Sequence, residues 1–595
     1  MPGHQNKLSR FWQELKRRRV INVVTVYASA AFVIIELIGN LTEPLNLPAS
    51  LSTIVIIVLA IGFPLAIVLS WLYDLTSGTF ERTRPLEDVP EEGKARVPNA
   101  WKIATYVSFV VIIGLAALNI VSRGDIIKPG MIQSVVVLPF NNYTDDDQLQ
   151  SLVAGMHACL ITDIGRLSGW RVINSTTSNV YKDASMSVQK IATELNVDAA
   201  IEASVLGVSD TIILQVSLIN AFPEEETIWN SEYKEEKSQM LNLYNRITKQ
   251  IADEMKVPIT DTEELILEKS RTVDPEALFA YMKGQFHWER LGKEDLDSAL
   301  QYFQLAIDED PDWADPYAGM ALTWDCLGGF GHAPYAESIE KANKYLDKAL
   351  ELDPNSANSH YVKALLLVWP GGDWENGEKE FLKTLELQPN HALCRIYYAH
   401  LLMILKRFDD ARYQADLALQ LDPMQPLVLG LYAAVMGFTG NQQAALVQAE
   451  KAVSIDPDNN FAIGILTGFY LLTGDTLKWY ELTRKDWYLT DEEYLDSLDT
   501  IFQEGGYQAV IREAIRINEE AFKRGNPINL KDQAFNYLEI GNYERAMDFY
   551  EIAYEQGWGL LSYIGLDVIY YPGLKNNSRY IALLKKMNLP LPESD

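Results

Sequence analysis

Three groups of side chains in this sequence have the chemistry for a catalytic or ligand site: an acidic run at Asp145, Asp146 and Asp147, a hydroxyl run from Ser175 to Ser178, and seven scattered histidines. The acidic run follows a short apolar segment and precedes a helical one. Its carboxylates could gather a cation, and they equally suit a solvated loop entering a helix N-terminus, where negative charge is favoured. Ser175, Thr176, Thr177 and Ser178 could donate hydrogen bonds to a ligand at a strand end, or close a turn on their own backbone. His391 and His400 are nine residues apart, a spacing that does not place two metal ligands on one helix face. The sequence holds no GxxxxGK[ST], GxGxxG, HExxH or GxSxG signature. Gly328, Gly329 and Gly331 with His332 read as a loop and not as a nucleotide cradle. Cys159, Cys326 and Cys394 lack the CxxC spacing of a zinc or redox site and read as isolated thiols. No catalytic, cofactor or metal site is expected, and the protein reads as a non-enzyme.

The elements that would position any of these residues belong to a multidomain chain. At 595 residues and 67.2 kDa it exceeds one hydrophobic core, and at 48% apolar and 11% aromatic it is not a disordered chain. Residues 1–123 hold 12 basic and 9 acidic residues, and the remainder holds 39 against 72, so the long C-terminal part carries a net charge of −33. Such a field repels phosphates and excludes a nucleic-acid surface there.

Three apolar runs, 20–41, 51–73 and 101–121, are each long enough to cross a bilayer and read as transmembrane helices. A signal peptide ending at Ala28-Ser29-Ala30 is the competing reading of the first, but its apolar stretch continues through Ile38. The tail 1–19 carries Lys7, Arg10 and Lys16 to Arg19, and the loop 74–100 carries Arg82, Arg84, Lys94 and Arg96, so both read as cytoplasmic. Everything after about residue 123 then lies on the far side.

Residues 131–258 alternate strand and helix signals and read as a compact α/β domain. Strands are predicted at 134–140, 171–174, 199–206, 211–220 and 227–233, and helices at 147–167, 188–195 and 241–255. From 270 to 472 a repeat takes over. Pro311, Pro354, Pro389, Pro423 and Pro457 are separated by 43, 35, 34 and 34 residues, near the period of tetratricopeptide (TPR) helix pairs. A fixed phase of small and bulky residues precedes each proline, as in Ala411, Ala415 and Ala418 or Ala445, Ala449 and Ala452. Residues 473–595 read as degenerate helical repeats ending in a C-terminal TPR or cap, with Ala546, Tyr550 and Ala553 in phase. Counted from this phase, the groove positions of three repeats are Ser359, Val362 and Leu366; Leu393, Ile396 and His400; and Leu427, Gly430 and Ala434. Core packing is the alternative reading of the same positions. The set lacks the Lys, Arg and Asn of a carboxylate clamp, so an apolar or extended protein or peptide is the expected ligand.

Several segments carry a family resemblance. FWQELKRRRVINVVTVYASAAF with IGFPLAIVLSWLYDLTSGTFERT resembles the membrane anchor of a group of bacterial TPR proteins, and SVVVLPFNN, LITDIGRLSGWRVINSTT, IATELNVDAAIEASV and LINAFPEEETIWNSEY resemble the TolB amino-terminal-like, or FlgO-like, domain. ALFAYMKGQFHWERLGKEDLDSALQYFQLAIDEDPDWADPYAGMA and GLKNNSRYIALLKKMNLP are similar to the repeats of the same group, while Ala203 departs from its usual Gly. The resemblance implies a multi-pass protein of the bacterial inner membrane with a cytoplasmic N-terminus. Its fold would be three transmembrane helices, a compact α/β domain and an all-α TPR superhelix, the last two periplasmic. It would act as a scaffold or sensor for protein partners, with the receptor or regulatory subunit of a nucleotide cyclase-like signalling enzyme as the alternative.

Overall fold

The computed structural model describes residues 27, 30, 31, 34, 55, 59, 62, 63, 73–76, 79–82, 132–143, 147–182, 186–208, 211–236, 244–254, 260, 263, 273–369, 371–485, 491–526, 528–557 and 559–592. They fall into two units, Met1–Pro129 and Gly130–Asp595.

In the first unit the described positions between 27 and 63 are helical. Tyr73–Thr76 (β1) and Thr79–Arg82 (β2) pair antiparallel, with Tyr73 opposite Arg82 and Thr76 opposite Thr79. The last residue of the second expected span is thus the first of a strand, and the start of the expected loop 74–100 completes a hairpin. Crossing a bilayer requires about 20 residues of unbroken helix as well as apolar composition. Residues of strand propensity at 73–76 and 79–82 favour the extended backbone instead. Among the described residues no helix is long and apolar enough to cross a membrane. That finding corrects the three transmembrane helices expected over 20–41, 51–73 and 101–121. The multi-pass inner-membrane placement, with a cytoplasmic N-terminus and a periplasmic remainder, is corrected with them. Most of those three segments lies outside the described residues.

The second unit opens with a mixed sheet of order β5-β3-β6-β7-β8, in which β3 (Ser134–Val137) is parallel to β5 (Arg171–Val172) and β6 (Ala199–Val208). Strands β7 (Thr211–Asn220) and β8 (Glu226–Glu236) continue antiparallel, and β4 (Asn141–Asn142) pairs with β6. Alternation sorts the strand side chains between two cores. Val135, Val137, Ile201, Val216 and Leu218 pack under α1 (Asp147–Ile164) and α4 (Tyr244–Glu254); Val136, Ile173 and Ala200 pack against α3 (Val188–Leu195). The hydroxyl run forms the short helix α2 (Ser175–Asn179) at the end of β5.

Helix pairs follow: α5 (Pro275–Trp288) with α6 (Lys293–Glu309), α7 (Ala314–Gly329) with α8 (Tyr335–Leu352), and α9 (Ala357–Val368) with α10 (Trp374–Leu387). Next come α11 (Ala392–Ile404) with α12 (Phe408–Leu421), α13 (Pro426–Phe438) with α14 (Gln442–Ile455), and α15 (Asn460–Leu472) with α16 (Thr476–Lys485). Every small residue of the repeat phase is buried, with Ala411, Ala415, Ala418, Ala445, Ala449 and Ala452 at 0% exposure. Before each proline the backbone leaves the helix, since the ring disfavours the α region for its predecessor. Asp310, Asp353, Gln388, Asp422 and Asp456 all have φ between −132° and −143°. The repeats are helix pairs of the TPR type. Gly328 and Gly329, expected in a loop, finish α7 instead, and a Cβ on Gly328 would lie 2.7 Å from the Ser338 side chain.

The degenerate stretch is α17 (Glu492–Lys523), broken where Gly506 turns to φ 64°, ψ −164°, a conformation that suits glycine alone. Helices α18 (Leu530–Glu539) and α19 (Tyr543–Glu555) resume the repeat, with Ala546, Tyr550 and Ala553 buried. A 3₁₀ turn (Gly559–Tyr563), α20 (Ile564–Asp567) and α21 (Ser578–Lys586) end the chain.

Phe303 tests this packing. A Cβ placed on Gly284 or Gly319 would stand 2.6 or 2.7 Å from its ring, which is 1% exposed. Gly319→Ala is expected to cost about 1–3 kcal/mol, read as a lower melting temperature, and adding Phe303→Leu should recover part of it.

Candidate functional site

The α/β sheet meets the repeats along its edge strand β5, which would otherwise leave backbone groups unpaired. Asn390, in the turn between α10 and α11, accepts the Val172 N–H at 3.1 Å. Its side-chain amide donates to the carbonyls of Gly165, Leu167 and Trp170 at 3.0, 3.4 and 2.8 Å. One turn further on, Asp422 accepts from the Thr177 hydroxyl at 2.6 Å and the Asn174 amide at 3.2 Å. The Met424 N–H donates to Thr177 Oγ1, the Asn174 N–H to the Leu421 carbonyl, and the Arg171 guanidinium to the Gln420 carbonyl. Turns of two successive repeats therefore complete the sheet edge. Their sequence signal was the residue flanking each repeat proline.

First helices of successive pairs pack against one another, and helices stacked in this way line the concave side of a TPR superhelix. Tyr281 and Gln285 of α5 and its C-cap residue Glu289 are spaced four apart. The Gln285 amide donates to the Tyr281 hydroxyl at 2.6 Å, and the Asn358 amide reaches the same oxygen at 3.3 Å. Asn358 in turn meets His391, whose other ring nitrogen caps α11 by accepting the Cys394 N–H. Tyr361, Tyr397 and Trp369 continue this wall, with ring centroids 6.1 Å apart for the first two and 5.5 Å for the last two. Burial pushes the carboxyl of Asp325 up to about 7 and that of Glu289 up to about 8, the latter with help from the charge on Asp422. Asp422 itself is raised to about 6 by burial, against the hydrogen bonds from Thr177 and Asn174.

The protein's own C-terminal segment reaches the same helices. The Tyr563 hydroxyl lies 2.9 Å from His400 Nδ1 and 3.2 Å from Trp369 Nε1, and the Tyr570 ring stacks edge-on against Phe438 at 5.3 Å. His400 donates its other ring N–H to the Leu431 carbonyl at 2.9 Å, and burial lowers it to about 4, so it is a neutral imidazole at neutral pH.

The residues singled out from the sequence are dispersed. Asp145 and Asp146 lie outside the described residues, and Asp147 is the first residue of α1. Among the described residues no group of three or more His, Cys, Asp and Glu could hold a metal. Thr177 joins the domain contact just described, and Ser178 Oγ stands 3.0 Å from His157 Nε2. Cys159 is half-buried and burial raises its thiol to about 12, so no reactive thiolate forms there. Of the nine groove positions, Ser359, Val362, Leu366, Ile396, His400, Leu427 and Gly430 are buried, and Leu393 and Ala434 are half-buried. Ile396 is 0% exposed within the repeat core. The sequence pattern did not reveal Asn390, Asp422, Glu289 or Tyr563, because each acts across more than 130 residues of chain.

No protein-family model matches the chain. Over 239 residues it is 25% identical to a protein of Rhizobium meliloti (strain 1021) named putative adenylate cyclase 3, a match that spans 40% of each chain. Solved structures with a similar arrangement include a thermophilic TPR protein of Thermus thermophilus, at 18% identity and TM-score 0.27, covering 33% of this chain and 99% of that one. The type IV pilus biogenesis factor PilW is 17% identical at TM-score 0.26, with 35% and 91% covered. The human IFIT1 dimer with PPP-AAAA is 19% identical at TM-score 0.33, with 53% and 78% covered.

Two outcomes are expected at the domain contact. Asn390→Ala leaves buried backbone groups without partners and should cost about 3 kcal/mol, read by hydrogen exchange at the Val172 amide. Asp422 and Glu289 both hold their protons more tightly folded than unfolded, from ordinary values of 3.8 and 4.5 to about 6 and about 8. Stability is therefore greatest below pH 4 for these two groups and falls as pH rises through 6 to 8. Glu289→Gln should flatten the upper part of that fall in a series of denaturant titrations.

Proposed function

We propose that this protein is a non-catalytic interaction scaffold whose TPR superhelix holds a protein or peptide segment against the first helices of its repeats. The observation that carries the reading is the way those helices already receive a segment in cis, with Tyr563 hydrogen-bonded by His400 and Trp369. An external segment of apolar or extended character would use the neighbouring half-buried positions, Leu393 and Ala434, from the proposed set Ser359, Val362, Leu366, Leu393, Ile396, His400, Leu427, Gly430 and Ala434. The net charge of −30 would speed encounter with a basic partner and would make that association slower at high salt.

A second reading, the regulatory part of a nucleotide cyclase-like system, is favoured by the 25% identity to the protein named putative adenylate cyclase 3. The chain spans 40% of that protein's length, so its activity is a proposal here and not an inheritance.

One experiment separates the two. Full-length protein is used to capture partners, alongside Leu393→Arg and Ala434→Arg, and is separately incubated with ATP and magnesium. The scaffold reading expects a defined partner that both variants lose while their melting temperatures hold, and no cyclic nucleotide. Formation of cyclic nucleotide, or capture unaffected by either variant, overturns it.

A further inference from the structure

Glu289 and Asp325 differ from most carboxylates of the repeats. Elsewhere acidic residues meet cations: Arg579 reaches Glu544, Asp548 and Glu551, and Arg290 bridges Asp295 and Asp456. Among the described residues neither Glu289 nor Asp325 has a cation within ion-pair distance, yet both lie inside the superhelix and are half-buried, so both keep access to solvent.

Two further side chains beside them are orphaned. Among the described residues the Tyr361 hydroxyl has no hydrogen-bond partner although the residue is 3% exposed, and Tyr397, Cys326 and Glu289 all act on it electrostatically. Gln425 is 1% exposed; its oxygen accepts the Val428 N–H, and its Nε2 faces the Glu289 carboxyl without completing a hydrogen bond. Buried polar groups are ordinarily paired, so each orphan needs a partner. The rings of Tyr361 and Tyr397 add negative faces of the kind that attract cations.

We infer that the interior bounded by Glu289, Asp325, Tyr361, Tyr397 and Gln425 is a binding site for an organic cation of the ammonium or guanidinium class. Such a group answers the carboxyls, the Tyr361 hydroxyl and the rings together, and leaves the Glu289 carboxylate to accept from Gln425 Nε2. It supplies counter-charge to two carboxyls that burial otherwise keeps protonated, offers N–H donors to the Tyr361 oxygen, and lies against aromatic faces. The cation can be a lysine or arginine side chain of the segment bound by the superhelix, or a free polyamine. The inference deepens the scaffold reading and rests on it, since it names the chemistry of the partner that the interior selects.

The test is calorimetric titration of the full chain with spermidine and with an acetylated Gly-Arg-Gly amide, and with Gly-Glu-Gly as the control. The preferred probe identifies the source of the cation. Binding should weaken about tenfold in Asp325→Asn and Glu289→Gln, and less than about twofold in the exterior controls Glu351→Gln and Glu386→Gln. Tyr361→Phe removes a hydroxyl that makes no bond, so stability should hold while affinity falls. Because the cation ionises carboxyls that are protonated near neutrality, buffers of different ionisation heat should report release of about one proton per cation bound. Equal losses from interior and exterior variants, no proton release, or no binding of either cationic probe overturns the inference. If those failures occur while the full chain still captures its partner through Leu393 and Ala434, the scaffold reading stands and the cation site alone falls.

Discussion

Close approach of paired helices, possible only where small residues meet at fixed intervals, is the constraint on which this structure depends. Ala411, Ala415 and Ala418 leave no room for larger side chains against α11, and Ala445, Ala449 and Ala452 do the same against α13. A pair packed this tightly must turn at the same place each time. The proline that ends each second helix holds the preceding residue extended, and the turn recurs in phase. Regular turns stacked along one rim give a row of polar side chains at predictable heights.

That row does most of the long-range work. Asp310 accepts the Asp274 N–H, Asn390 and Asp422 complete the edge of the sheet, and Asp456 takes the Arg290 guanidinium. Residues set there by a local backbone rule thus join parts of the chain as much as 248 positions apart. A carboxylate or amide in a turn has spare acceptors because the helix starts beside it already satisfy their own N–H groups through caps such as Ser356 and Asn459. The α/β domain is fixed both by these buried hydrogen bonds and by an apolar contact in which Cys159 of α1 packs with Ala277, Leu278 and Trp313, and the polar substitutions carry weight because they leave buried groups unpaired.

How much of this was legible in the sequence follows from the range of each interaction. Local periodicity located α3 at Val188–Leu195, the hairpin of β6 and β7, and the repeat phase down to individual alanines, since each depends on neighbours within a helix pair. Apolar length by itself misled over 51–73, where Tyr73 is in a strand. The groove positions illustrate a further limit. Counting from the repeat prolines identified positions on the first helices, but whether each is open or covered depends on what packs over it: Ile396 and Val362 are buried in the repeat core, and His400 meets Tyr563 of a C-terminal segment that no repeat arithmetic anticipates. Thr177 was legible as a hydroxyl near a strand end; that its partner is Asp422, 245 residues away, was not.

Charge ties these layers together. A chain with 81 acidic and 51 basic residues cannot give every carboxylate a cation, so some must be solvated, hydrogen-bonded or protonated. The repeats distribute them accordingly. Exposed glutamates along the second helices pair with lysines one turn away, a weak contribution that mainly keeps the surface soluble. Turn aspartates accept hydrogen bonds and seal the domain contact. On the first helices, by contrast, Glu289 and Asp325 are half-buried and, among the described residues, without a counter-charge, and burial there favours their neutral form. Ionising Glu289 would bring a second negative charge towards Asp422, which holds the sheet edge. The state of the interior and the seating of the α/β domain are therefore one electrostatic problem, and whatever neutralises the interior also steadies the contact at Thr177.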